Sequence, residues 1–131
     1  MKKVFLGGTC NKSKWRDKVI ERLKIDYFNP MLDVWTEEGY QRELIEREIC
    51  DYCLYVITPK LVGTYSIAEL IDESNKRPEK TLFCYLKTDE DKEFTKEQCI
   101  SLDKIAIMVQ KNGGKYFDKL DDIIDYLNRE E

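Results

Sequence analysis

The chain has no histidine among its 131 residues. Any proton transfer or nucleophilic attack it performs must therefore use Asp, Glu, Tyr, Lys or Cys. Ser-His-Asp and Cys-His catalysis and every His-ligated metal site are excluded. Carboxylates are the obvious candidates, and three stand out by position: Glu69, Glu43 and Asp51. Ser66-Ile67-Ala68-Glu69 has the spacing of a capping box, in which the serine caps a helix and the glutamate reaches back to the serine N–H. The same spacing puts a carboxylate on the first turn of a helix, where unpaired N–H groups favour its ionised form. Such a group can act as a covalent nucleophile. Glu43 sits on a helix with Glu46, Arg47 and Glu48, a pattern that usually marks a solvated face. Asp51, at a helix-to-strand junction, reads equally as a turn residue.

The second constellation is Gly7-Gly8-Thr9, followed by Asn11, Lys12 and Ser13. Glycines let a ligand approach the backbone, and the following helix offers N–H groups to an anion. It is not a P-loop: taking Lys12-Ser13 as the Lys-Ser pair, both required glycine positions are wrong (Leu6 and Asn11). Trp15 and Trp35 are of a type that stacks on a base, although large aromatics more often belong to a core. Cys50-Asp51-Tyr52-Cys53 matches C-x-x-C, but it falls where a helix runs into a strand and has no second pair at zinc spacing. The five cysteines are therefore read as reduced structural thiols.

These residues need elements to place them. Val4-Phe5-Leu6 predicts a buried strand ending in the glycine loop. Trp15, Val19, Ile20 and Leu23 predict a helix with Ser13 as its N-cap. Asp26 to Asn29 reads as a short strand stopped by Pro30, and Met31 to Glu38 as a loop. Tyr40, Leu44, Ile45 and Ile49 mark a charge-rich amphipathic helix. Cys53-Leu54-Tyr55-Val56-Ile57 is a continuous apolar run suited to a central strand covered on both faces. Ile67, Leu70, Ile71 and Ser74 define a third helix, and Thr81 to Leu86 another buried strand. Asp89 to Glu93 reads as a solvated acidic turn. A helix follows from Lys96, then a short strand at Tyr116-Phe117, then a helix carrying Leu120, Ile123, Ile124 and Leu127.

That order predicts one α/β domain over residues 1–131: a doubly wound, flavodoxin/Rossmann-like parallel sheet of four to five strands with helices on both faces. Ligands of such sheets bind beyond the carboxyl ends of the strands. The rule picks out residues 7–13, 29–35 and 58–69. Composition fits, at 42% hydrophobic and 37% charged. A net charge of −4 argues against binding a nucleic-acid polymer. No apolar run approaches the length needed to cross a bilayer, so no membrane partner and a cytoplasmic location are expected.

Four stretches together resemble the nucleoside 2-deoxyribosyltransferase family and its nucleotide N-glycosidase relatives. They are Val4-Phe5-Leu6-Gly7-Gly8-Thr9, Tyr27-Phe28-Asn29-Pro30, Asp51 through Pro59, and Gly63-Thr64-Tyr65-Ser66-Ile67-Ala68-Glu69-Leu70. The resemblance covers roughly the first two-thirds of the chain, with the motifs in order. It implies a doubly wound sheet, Glu69 as nucleophile, and Glu43 or Asp51 assisting departure of the base. It also implies a substrate site built from Gly7, Gly8, Thr9, Asn11, Asn29, Pro30, Trp35, Gly63 and Ser66. No metal or other cofactor is implied. The implied partner is a small-molecule nucleoside or nucleotide, and by analogy the chain is expected to form a homodimer or higher homo-oligomer. The chain departs from the family pattern in three places. Val62 or Gly63 stands where an Asp precedes the nucleophile, Phe5 replaces an aromatic hydroxyl, and Glu43 replaces an Asp. The implied function is an N-glycosyl hydrolase or transferase working through a glycosyl-enzyme intermediate. The alternatives are a non-catalytic nucleotide-sensing module on the same fold, an NAD-cleaving hydrolase of the Toll/interleukin-receptor-like kind, and, last, an interaction domain.

Overall fold

The computed structural model describes residues 1–10, 12–31 and 34–129. The elements run β1 (Lys3–Gly8), α1 (Trp15–Ile20), β2 (Asp26–Phe28), α2 (Glu37–Ile49), β3 (Tyr52–Ile57), α3 (Tyr65–Lys76), a 3-10 turn (Pro78–Lys80), β4 (Thr81–Tyr85), β5 (Thr88–Asp89), β6 (Lys92–Glu93), α4 (Lys96–Lys111), β7 (Lys115–Tyr116) and α5 (Leu120–Arg129). Five strands form one parallel sheet in the order β2-β1-β3-β4-β7. The expected doubly wound architecture is present.

The pleat divides each central strand between two cores, because successive side chains point to opposite faces. Val4, Leu6, Tyr52, Leu54, Val56, Leu82 and Cys84 pack with Trp15 and Val19 of α1 and Ile123, Ile124 and Leu127 of α5. Phe5, Cys53, Tyr55, Ile57, Phe83 and Tyr85 pack with Leu70 of α3 and Leu102, Ala106 and Val109 of α4. Both faces being covered explains the unbroken apolar runs of β3 and β4.

Four local expectations are corrected. Helix α1 begins at Trp15 with Lys14 at the cap position and no side-chain cap; Ser13 instead donates its hydroxyl to Asp89. Helix α3 begins at Tyr65 with Thr64 at the cap position and no side-chain cap, so Ser66 and Glu69 form no capping box. The capping box of this chain is at Thr95 and Gln98, opening α4. Residues 88–93 form an antiparallel hairpin rather than a solvated turn, and Asp89 is buried.

Helix α2 is the fourth correction. Its Ile45 and Ile49 are 57% and 64% exposed, while Glu46 and Arg47 are buried. A charged pair inside a fold needs partners, and it has them: Glu46 meets Lys3 Nζ at 2.8 Å, and Arg47 meets acids of α3. The helix end is also held from afar. Buried Lys80 donates Nζ to the carbonyls of Arg47, Glu48 and Cys50 at 2.8, 2.9 and 2.7 Å, satisfying acceptors that a helix C-terminus leaves free. Lys80→Met should therefore cost about 2 kcal/mol. Urea unfolding should show a lower midpoint at unchanged slope; a loss under about 0.5 kcal/mol would contradict this assignment.

Cys50, Cys53 and Cys84 are buried free thiols, whereas Cys10 is exposed at the candidate cavity and Cys99 is half-buried. Burial pushes Cys50 up to about 12 and raises Cys53 further, and Cys53 donates to the Arg47 carbonyl at 3.3 Å.

Candidate active site

In strand order, the chain leaves β1 toward β2 on one side and later returns to β3 on the other. The two connections diverge at the carboxyl ends of β1 and β3, the switch point where open α/β sheets bind ligands. A cavity of about 200 Å³ lies there, lined by Gly7, Gly8, Cys10 and Arg16 on one side and by Pro30, Glu43, Leu61, Gly63, Tyr65, Ser66 and Glu69 on the other. Its floor depends on the two glycines. A Cβ on Gly7 would sit 2.6 Å from the Tyr55 ring, and one on Gly8 would sit 2.1 Å from the Val56 carbonyl oxygen, with Gly8 at φ +115°. Only glycine fits that backbone.

Two carboxyl groups, Glu43 and Glu69, line the cavity. Glu69 lies one turn into α3 rather than on its first turn, which holds no acid; it is only 6% exposed, and its Oε2 has no hydrogen-bond partner among the described residues. Glu43 approaches it from α2 and interacts with it directly. Burial first and the neighbouring Glu43 second push the Glu69 carboxyl up to about 8; burial likewise raises Glu43. Ionising one carboxyl opposes ionising the other, so the two titrate as a pair.

Two buried guanidinium groups flank the pair. Arg47 Nη1 lies 3.7 Å from Glu69 Oε2 and opposes its rise in pKa. The same side chain donates Nε to Glu73 at 3.0 Å and Nη2 to Asp72 at 2.9 Å. Glu73 is fully buried and also accepts from Arg77, so a chain of alternating charges runs from the cavity into the α2–α3 interface. Arg16, 4% exposed, donates to the carbonyls of Leu6, Thr9 and Gly8 at 3.0, 2.6 and 3.3 Å, fixing the end of β1. It makes no ion pair among the described residues, and its charge attracts Glu43 and Glu69 across the cavity.

Residues 1–88 match the family model described as nucleoside 2-deoxyribosyltransferase like. The chain belongs to that family. Among curated proteins and among solved structures, none matches significantly. Membership points to deoxyribosyltransferase-like activity on small-molecule nucleosides. No helix among the described residues is long and apolar enough to cross a membrane.

Of the positions that the family resemblance implied, Gly7, Gly8, Pro30, Glu43, Gly63, Ser66 and Glu69 meet at this one cavity. The others do not. Asp51 stands at the opposite end of β3, just before Tyr52, where its Oδ2 accepts from the Lys3 N–H at 2.8 Å. It joins β1 to β3 and is far from the carboxyl pair. Thr9 is buried, with its Oγ1 accepting from Thr58 N at 2.9 Å. Asn29 turns its own loop by accepting from Met31 N. Trp15 belongs to the core. Trp35 is 67% exposed and does not line the cavity; its ring stands 6.4 Å from Tyr40, whose ring is 6.4 Å from Tyr65. Asn11 lies outside the described residues.

Sequence reasoning missed Arg16, Arg47, Glu73, Tyr40 and Tyr65. Helical spacing could have suggested the tyrosines. Tyr40 and Glu43 are three residues apart on α2, and Tyr65 and Glu69 four apart on α3, so each carboxyl has an aromatic ring one turn away on the same face. The tyrosine hydroxyls bond to each other at 3.0 Å, which pushes Tyr65 up to about 12 and keeps it neutral.

Proposed function

We propose that this protein is an N-glycosyl hydrolase or transferase acting on a nucleoside or nucleotide, with Glu69 as nucleophile and Glu43 as proton donor. The observation that carries the reading is a buried glutamate, its Oε2 without a hydrogen-bond partner among the described residues, lining a switch-point cavity that a second carboxyl, Glu43, also lines. The reactive form is the one in which the proton has passed from Glu69 to Glu43, leaving Glu69 the anion. Its Oε2 attacks the anomeric carbon, the C–N bond breaks with its electron pair going to the base, and Glu43 gives its proton to the departing nitrogen. Glu43, now ionised, takes a proton from water or a second base, which attacks the anomeric carbon and frees Glu69. The pattern is that of retaining glycosidases. Arg47 and Arg16 hold positive charge near the carboxylates, and Tyr65, which lines the cavity and is bonded to Tyr40, offers a flat face to a base.

A panel of common nucleosides, their monophosphates and NAD, followed for free base, tests this. The reading requires base release from at least one, with NAD alone indicating a dinucleotide hydrolase. A specific departure favours the second reading, a nucleotide-sensing module: Val62 or Gly63, both exposed, stands where the family pattern has an acid. That module would give ligand-induced thermal stabilisation with no turnover. The reading also carries the expectations of at least a homodimer, measurable by light scattering, and of a cytoplasmic setting.

A further inference from the structure

The cavity's first loop is held from outside the family match. Asp89, the first residue beyond residue 88, is buried, and its Oδ2 accepts two hydroxyl bonds: Ser13 Oγ at 2.5 Å and Thr58 Oγ1 at 2.6 Å. These donors come from the segments that follow β1 and β3, the two strands forming the switch point. A bonded seam continues beneath the loop, with Thr58 N donating to Thr9 Oγ1 and Thr9 N donating to the Val56 carbonyl, both at 2.9 Å. The hairpin adds a second tie. Lys60 pairs with Glu90 and also donates to the Lys12 carbonyl at 3.4 Å, where Lys12 is held at φ +62°. Asp89 itself does not line the cavity.

We propose that Asp89 is a positioning residue for the catalytic cavity. By gripping both switch-point loops through one carboxylate oxygen, it fixes Gly8 and Cys10 at the cavity wall. It also fixes the Thr9 carbonyl, to which Arg16 and Trp15 are bonded. The kinetic consequence rests on the glycosidase reading; the structural one does not.

Hydrogen exchange on Asp89→Ala and Asp89→Asn tests it, comparing residues 8–14 with the core strand 52–57. The alanine variant removes the acceptor, whereas asparagine keeps an oxygen able to take both hydroxyl bonds. Exchange across 8–14 should rise about tenfold in Asp89→Ala, with 52–57 unchanged and asparagine restoring most protection. On the nucleoside or nucleotide from the panel that releases most base, KM should rise about tenfold with kcat nearly unchanged in Asp89→Ala. Unchanged exchange at 8–14 in the folded alanine variant overturns the proposal, as does an equal loss of protection over the core. Should Asp89→Ala fail to fold, Ser13→Ala and Thr58→Ala each remove one donor and are read the same way. Loosened 8–14 amides in a protein that cleaves nothing would sink the glycosidase reading alone. Unchanged amides and KM beside robust base release would sink the Asp89 proposal alone.

Discussion

Glu69→Gln is expected to lower base release by about a thousandfold or more while making the protein more stable at alkaline pH. The two effects share one cause. Glu69 is buried beside Glu43, and its carboxyl is pushed up to about 8 from an ordinary value of 4.5. The folded state thus binds that proton more tightly than the unfolded chain, so its contribution to stability is complete below about 4.5 and is lost as pH rises to about 8. An amide cannot ionise and escapes this loss. Above pH 8 the Gln variant should be more stable than the parent by on the order of 3 kcal/mol, and by little at pH 4. The variant should fold, because the carboxyl forms no capping box and its Oε2 accepts no hydrogen bond among the described residues. For the parent, kcat/KM should be bell-shaped: inactive when both carboxyls are protonated, and falling near pH 8 as the pair loses its last proton. Thermal melts across pH, run beside base-release assays, check both limbs. Unchanged turnover in Glu69→Gln would remove this residue from the chemistry.

Arg47→Met is expected to cost 3–5 kcal/mol, roughly the cost of breaking a buried ion pair from one side. Arg47 gives Nε to fully buried Glu73 and is the cation nearest Glu69. Removing it leaves Glu73 with Arg77 and a distant Tyr55 hydroxyl, and leaves Glu69 without its nearest opposing charge. A functional consequence follows from the same contact. Because Arg47 lowers the proton affinity of Glu69, its loss should move the alkaline limb of the pH profile above 8. Adding Glu73→Gln should recover part of the stability, since the two residues are coupled. Additive losses in that cycle, or a neutral Arg47→Met, would show that the buried charges do not act as a network.

The sheet was legible because its signals are local. Residues 53–57 and 82–86 are continuous apolar runs that suit a covered strand, and the spacing of Leu120, Ile123, Ile124 and Leu127 suits a helix. The cavity was legible in outline because glycines ending β1 and a glutamate near the start of α3 follow from the architecture. What escaped depends on distant partners. Glu46 and Arg47 look like a solvated face until Lys3 and Glu73 are brought to them. Asp89 looks like a turn residue until Ser13, 76 positions away, donates to it. Lys80 gives no local hint of three carbonyls on another helix. The capping-box pattern misled for a different reason: both Ser66–Glu69 and Thr95–Gln98 satisfy it, and only the backbone geometry distinguishes the true cap.

The most direct test is covalent. A 2′-fluoro nucleoside of the preferred base slows release of the sugar more than its attachment, so the intermediate should accumulate and be visible by intact mass. The account predicts one added sugar per chain, located by peptide mapping on Glu69 and absent from Glu69→Gln. Base release with no mass gained, or the sugar found on another residue, would contradict it.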